Sequence, residues 1–422
     1  MINYFLGLST LILILFTLIK YFKNDQAIFN LLTFAFFLRA LLLILNNFFF
    51  DLPGSTFDAR TFEYVASEFS NQYGLKVIFN MFQNDVYLIS RIISFFYSLT
   101  SQSEMMAQSI SLGLGTASVY LVYRLSMMLW DKNISIKAAW AVSIYPPMVL
   151  YSVLTLREVY VNFFLLLTLI ACVSLIKNLF KKKIIYKNRI SNLNNNIKLL
   201  IFIVGGFFIL KYFHGAIFTG LFIFLFFIGY LFFEQELNNL KKGIIKYKII
   251  FLFLIILMPI FLWFQKILYI PYIPGIDEIL RFDEVLLRRF NLGSVSAVHG
   301  IYGASYPNWT IPNNNIEFIP KTFLRIIYFL YSPFPWDLKR IVHSFGFLDT
   351  LFIIYFTICA LRNRKAIWEN RETRFLLFVL ITFIIIYGVG TSNFGTAIRH
   401  KSKFIFILIC LADPKLQKIR FF

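Results

Sequence analysis

The chain has 422 residues, 59% of them hydrophobic and only 15% charged, with a formal net charge of +20 at pH 7. Ordinary soluble domains carry roughly 25% charged residues, and a mean hydropathy of +0.72 excludes a soluble globule. Apolar runs of about 18 residues or more, long enough to cross a ~30 Å hydrocarbon core, recur from end to end. The fold class expected is all-α, a polytopic helical membrane protein. Its basic excess fits the gathering of Lys and Arg in cytoplasmic loops better than binding to nucleic acid. Cys172, Cys359 and Cys410 fall inside apolar segments with no pairing pattern and read as packing residues.

In chain order, the first apolar run begins almost at Met1, lacks a basic n-region and a small-residue cleavage site, and reads as a retained span. Eleven spans are expected, at 4–22, 27–50, 105–130, 135–155, 158–176, 198–212, 216–233, 249–268, 345–361, 374–390 and 403–413. The loop 177–198 carries Lys177, Lys181, Lys182, Lys183, Lys187, Arg189 and Lys198 with no acid. The loops 234–248 and 362–374 are basic as well, and so is the tail with Lys415, Lys418 and Arg420. Eleven spans put all of these on one side, which the charge bias makes the cytoplasm. The N-terminus is then outside and the C-terminus inside, as in a multi-pass bacterial inner-membrane protein. Residues 1–422 read as one integral membrane domain, roofed on its outer face by the loops 51–104 and 269–344.

The outer loops hold the unusual chemistry. Between Asp51 and Glu104, carboxylates, basic residues and aromatics gather in the run Phe57-Asp58-Ala59-Arg60-Thr61-Phe62-Glu63-Tyr64. Asp58 through Ser67 reads as a helix with an acidic start, where a carboxylate favours the positive end of the helix dipole. Glu63, Glu68 and Asp85 have the same structural explanation. Glu158 follows Arg157 at the start of a span, so the two acids Asp58 and Glu158 share the outer face and are the catalytic candidates. One would act as base while the other orients substrate or helps hold a divalent cation. No metal or other cofactor is demanded by the sequence.

The segment Ser392 to Lys403 puts Arg399, His400, Lys401 and Lys403 on the face that the charge bias keeps poor in Lys and Arg. They stand just before a span, where exposed helix amides add to an anion site. Phosphate or pyrophosphate at the membrane surface would suit them, as would lipid head groups. Lys211 and His214, at a tight corner between spans, are expected either to join that anion site or to snorkel. Arg39 lies mid-span and must face the bundle and find a partner. Trp336, with Trp309, Tyr302 and Tyr306, would stack on sugar rings or anchor the membrane interface. No Walker loop, dinucleotide-binding glycine pattern, HExxH or nucleophile elbow occurs.

This order of parts resembles the GT-C class of membrane glycosyltransferases, especially the protein mannosyltransferase and aminoarabinose-transferase type. That class has an acidic residue in its first large outer loop followed by interfacial helices, the place of Phe57-Asp58 through Ser103 here. A second acidic residue follows the next span pair, which Arg157-Glu158 matches. Pro333-Phe334-Pro335-Trp336 and Asn393 through His400 are similar to segments of bacterial surface-polysaccharide transferases and polymerases. Two spans precede the acidic loop where the class commonly has one, and the acid is a lone Asp58. The resemblance implies a polyprenyl-phosphate-linked sugar donor, a glycan or lipid-linked acceptor, and an inverting transfer at the outer face. O-antigen or capsule polymerisation is a variant of the same chemistry. A flippase for lipid-linked oligosaccharides is the rival from another class. It fits less well, because transporters tend to place their site near the bilayer midplane, whereas the polar groups here crowd one membrane edge.

Overall fold

A computed structural model describes residues 2–83, 86–180, 189–240, 305–312, 315–338 and 341–412. It is helical, and among the described residues the sole strand-like feature is an isolated bridge between Ser305 and Asn393. The helices are α1 (Ile2–Phe22), α2 (Gln26–Phe48), α3 (Arg60–Tyr73), α4 (Leu88–Leu99), α5 (Glu104–Leu129), α6 (Lys132–Ile144), α7 (Pro146–Ser152), α8 (Arg157–Leu179), α9 (Arg189–Phe213) and α10 (Thr219–Leu240). After the next described stretch come α11 (Asn315–Tyr331), α12 (Ile341–Arg362), α13 (Arg364–Glu369), α14 (Arg371–Gly390), α15 (Phe394–Ser402) and α16 (Phe406–Ala412). Eight helices, α1, α2, α5, α8, α9, α10, α12 and α14, contain stretches long and apolar enough to cross a membrane. The chain is an all-α polytopic membrane protein.

Three expected spans stand apart from those eight. The span 249–268 lies outside the described residues, as do Asp85, the loop residues 181–188, the whole of 269–304 with Tyr302, and the tail beyond 412. The expected span 135–155 is two helices, α6 and α7. Tyr145 takes an extended conformation (φ −64°, ψ 115°) before Pro146, because a proline ring disfavours the helical region for the residue preceding it. The expected span 403–413 is the seven-residue helix α16, and every residue from Phe404 to Ala412 is buried. It is threaded into the bundle, with the carbonyls of Cys410 and Leu411 taking hydrogen bonds from Trp130 (2.9 Å) and Asn363 (3.1 Å).

The bundle closes on small residues and on satisfied polar groups. Arg39 is fully buried and donates to Ser152 Oγ (2.9 Å) and to the carbonyls of Ala35 (3.1 Å) and Ser143 (3.3 Å). Its expected partners are therefore a hydroxyl and carbonyls, and no carboxylate pairs with it among the described residues. A carbonyl has two lone pairs and can accept a second bond, which spares the buried guanidinium the penalty of an unsatisfied donor. Gly115 makes this crossing possible, since a Cβ there would stand 2.3 Å from Ser152 Cβ and 3.3 Å from Arg39 Nε.

The helix ends sort by chemistry. At one end lie the loop after α2 and the starts of α5, α8 and α15. At the other, Lys132 pairs with Asp25 (2.8 Å), Lys177 donates to the Met128 carbonyl, and Arg374 makes a bidentate contact with Glu234 (3.0 Å to each oxygen). The expected outer loop 51–104 is structured at the first end: α3 and α4 pack on each other as amphipathic helices, and Ser90 Oγ donates to the Phe62 carbonyl at 2.8 Å.

Candidate active site

Gly54, at φ +92°, is the turn that lets the chain leave α2 and enter a single π-helical turn, Ser55–Ala59, which runs directly into α3. Asp58 sits in that turn. The expected capping role is absent: the residue before α3 is Ala59, and no side chain caps the helix. The Asp58 carboxylate instead meets Arg399 Nη1 at 2.5 Å through Oδ2. Glu158 likewise caps nothing, because the α8 cap position is Leu156. Its Oε1 accepts from Arg399 Nε at 3.3 Å, lies 3.3 Å from Arg399 Nη2 and stands 3.6 Å from Lys403 Nζ. One guanidinium thus bridges two acids that are 100 residues apart in sequence.

The two acids differ in exposure. The Asp58 side chain is 48% exposed, the Glu158 side chain 2% and Arg399 28%. Asp58 faces the solvent side of the cluster. Glu158 is the buried counter-charge that orients Arg399. Burial works against the Arg399 charge, but Glu158 and Asp58 more than offset it and hold its pKa above the ordinary arginine value. The guanidinium has five N–H donors. The two carboxylates take one hydrogen bond each, from Nη1 and Nε, and the other N–H donors stay available.

Arg399 is presented by α15, whose start is fixed by Asn393: its side chain caps the Thr396 amide at 2.7 Å, and the Tyr306 amide donates to the Ser392 carbonyl at 2.8 Å. Beneath Arg399, Lys403 Nζ lies 2.9 Å from His400 Nδ1. The His400 ring packs against Tyr387 (4.7 Å) and His214 (5.4 Å), and the Tyr387 hydroxyl lies 3.0 Å from His214 Nδ1. His214 thus lies beside His400 and Tyr387. Arg157 borders it as well, with its guanidinium over the Phe62 ring at 5.5 Å and its Nε buried without a hydrogen-bond partner.

Three candidates lie elsewhere. Lys401 points away from Arg399 into the bundle, where it pairs with Asp349 Oδ2 at 2.8 Å and donates to the Leu330 carbonyl at 3.0 Å; both charged side chains are fully buried. Lys211 lies over the ring of its neighbour Tyr212 at 5.8 Å, with no contact to the acids. Trp336 is 70% exposed and stacks on Phe334 at 4.9 Å, while Tyr306 is buried. A divalent cation does not suit this donor set. Arg399 fills the space between the carboxylates, Arg157 and Lys403 add positive charge, and the described residues hold no group of three or more His, Cys, Asp and Glu that could ligate one.

Two residues escaped the sequence reading. Asp349 is a charge inside an expected span, the same signal that drew attention to Arg39. Glu63, read as one more capping acid, is buried on the inner face of α3 and accepts from Thr155 Oγ1 and from Gln108 Nε2 (3.3 Å). Thr155 lies two residues before Arg157, so Glu63 ties the helix that follows Asp58 to the segment that precedes Glu158. Burial pushes its carboxyl from 4.5 up to about 7, and Glu104 adds repulsion, while the Thr155 and Gln108 bonds and Arg60 oppose the rise.

A folded-state pKa raised in this way favours the neutral acid. The contribution to stability is complete below the unfolded value and is lost as pH rises through about 7. Thermal stability in detergent is therefore expected to fall from pH 6 to pH 8, and Glu63→Gln, a neutral isostere, is expected to flatten that fall. A pH profile unchanged in Glu63→Gln would remove Glu63 as its source.

No family model matches the chain, and no curated protein matches it. Among solved structures, the archaeal oligosaccharyltransferase AglB from Archaeoglobus fulgidus, in complex with an inhibitory peptide and a dolichol-phosphate, is similar over 93% of this chain at 13% identity and a TM-score of 0.47. The chain spans 50% of the length of that structure's chain.

Proposed function

We propose that this protein is a membrane glycosyltransferase that moves a sugar or oligosaccharide from a polyprenyl-phosphate-linked donor to an acceptor hydroxyl. The observation that carries the reading is the Asp58–Arg399–Glu158 cluster, in which an accessible carboxylate shares a guanidinium with a buried one. Such a site has a proton acceptor and a fixed positive charge side by side. Displacement at an anomeric carbon needs both. The acceptor oxygen forms its bond to that carbon as the bond to the lipid phosphate oxygen breaks. Asp58 receives the hydroxyl proton, while the spare N–H groups of Arg399, with Arg157 beside them, take up the negative charge of the departing phosphate. Glu158 keeps Arg399 aimed at that phosphate, and Lys403 with His400 and His214 backs Glu158 from below. The sugar arrives activated by its lipid, so no nucleotide is needed at the site.

The charge bias of the loops supports an outer, periplasmic face for the cluster. Bacterial surface-polysaccharide assembly, O-antigen or capsule, is the setting we favour, with single-sugar and repeat-unit transfer sharing this chemistry. The test is transfer rate against concentration of lipid-linked donor in detergent. Arg399→Ala is expected to weaken donor dependence by on the order of 2–3 kcal/mol, about thirtyfold or more, since a charge-assisted contact to phosphate is lost. Arg399→Lys is expected to recover only part, because an ammonium cannot serve two carboxylates and a phosphate through one planar fork. Donor dependence unchanged in Arg399→Ala would remove the phosphate role.

A further inference from the structure

A second feature lies away from the ion cluster, toward the opposite ends of α1 and α5. Between α1, α2 and α5 opens a groove of about 320 Å³. Gly113 and Ala117, one helical turn apart on α5, provide its floor, and Leu18 and Leu32 wall it. The two threonines that line it, Thr17 and Thr116, spend their hydroxyls on carbonyls of their own helices, at 2.8 and 3.0 Å. The trough therefore offers mainly hydrocarbon contact, with its polarity at the Tyr120 end. At its far end the Phe22 and Tyr120 rings meet at 4.8 Å. One turn beyond Tyr120, exposed Arg124 donates to the Tyr120 hydroxyl at 3.1 Å and lies over its ring at 5.9 Å.

Lys20 and Lys23 stand at the same end of α1 and are exposed. Lys132 nearby is held by Asp25 at 2.8 Å, whereas Arg124, Lys20 and Lys23 have no carboxylate partner among the described residues. An apolar trough one chain wide, ending under unneutralised basic groups at a membrane surface, matches an amphiphile with a hydrocarbon tail and an anionic head. We propose that this groove is a binding site for an anionic phospholipid of the leaflet on the Arg124 side, one acyl chain lying along Gly113 and Ala117 and the phosphate at Arg124. Charge complementarity selects the anionic head over a zwitterionic one. The site is separate from the proposed transfer centre, and its test does not depend on transfer.

The experiment uses the full-length protein, delipidated in detergent and titrated with dioleoyl phosphatidylglycerol or dioleoyl phosphatidylcholine, with bound lipid counted by native mass spectrometry. One phosphatidylglycerol is expected to be retained, and phosphatidylcholine at least tenfold more weakly. Ala117→Leu fills the groove and Arg124→Ala removes the head-group contact; each is expected to lower phosphatidylglycerol affinity about tenfold, a charge-assisted bond being of that order. Arg124→Lys is expected to restore part of the loss. Arg124 is exposed, so its variants read the site even if Ala117→Leu fails to fold. Equal binding of the two lipids, or retention unchanged in Arg124→Ala, would overturn the proposal. Displacement of phosphatidylglycerol by an equimolar polyprenyl phosphate would also overturn it, since the groove would then belong to the donor lipid.

Discussion

Asp58→Asn is expected to leave the protein inserted and abundant while lowering glycan transfer by about a hundredfold to ten-thousandfold, the range that a positioned general base supplies. The substitution keeps the shape of the side chain, and the amide oxygen can still accept from Arg399 Nη1, now 2.5 Å from Asp58 Oδ2. The amide cannot take a proton from an attacking hydroxyl. Because the Asp58 side chain is 48% exposed, losing its charge leaves no buried orphan, and stability is expected to change little. Transfer rate and folded yield, measured on one preparation, separate the two effects. Near-normal transfer by Asp58→Asn would reduce Asp58 to a structural partner of Arg399.

The largest expected effect on stability comes from the pair that the site does not use. Lys401 and Asp349 are both fully buried, 2.8 Å apart, and the Tyr145 hydroxyl donates to the other Asp349 oxygen. Removing one member of a buried pair strands the other charge at a cost of about 3–5 kcal/mol, whereas replacing both with apolar groups is often neutral. Lys401→Met is therefore expected to destabilise strongly, and Lys401→Met with Asp349→Leu to recover most of that loss. Thermal unfolding in detergent reads the cycle. The pair also sets the rotation of α15, since Lys401 is two residues from Arg399 and projects from another face of the same short helix. Transfer is expected to fall in the single variant for that reason. A single variant as stable as the double would show that the two charges do not depend on each other.

Length and hydropathy made the membrane class legible, because a span needs only a long apolar run and that signal is local. The same locality explains the two spans that came out differently. Pro146 interrupts an otherwise apolar run, and 403–413 is apolar because it is buried in protein, with Phe404 to Ala412 all enclosed. Composition does not distinguish burial in protein from burial in lipid.

Three charges of the ion cluster were legible in the sequence, its geometry was not, and Lys211, Lys401 and Trp336, named with them, do not touch the two acids. Asp58, Glu158 and Arg399 stood out as charges placed against the membrane charge bias or at helix starts, yet nothing in the sequence said that one guanidinium joins them. Lys401 and Arg399 looked equivalent two residues apart, but on an α-helix such positions point about 200° apart. Hence one faces the acids at the open end and the other faces Asp349. Glu63 was indistinguishable from a capping acid because its burial depends on Thr155 and Gln108, which lie 92 and 45 residues away.

We propose that the Asp58–Arg399–Glu158 cluster transfers sugar from a lipid phosphate. Its most direct test is a single-turnover assay with purified protein in detergent, a polyprenyl-phosphate-linked radiolabelled sugar and an acceptor glycan, following label that leaves the lipid fraction. Wild-type protein is expected to move label to the acceptor without added nucleotide, and Asp58→Asn to leave it on the lipid. Label that stays on the lipid with wild-type protein across a panel of donors and acceptors, or that moves equally with Asp58→Asn, would contradict the account.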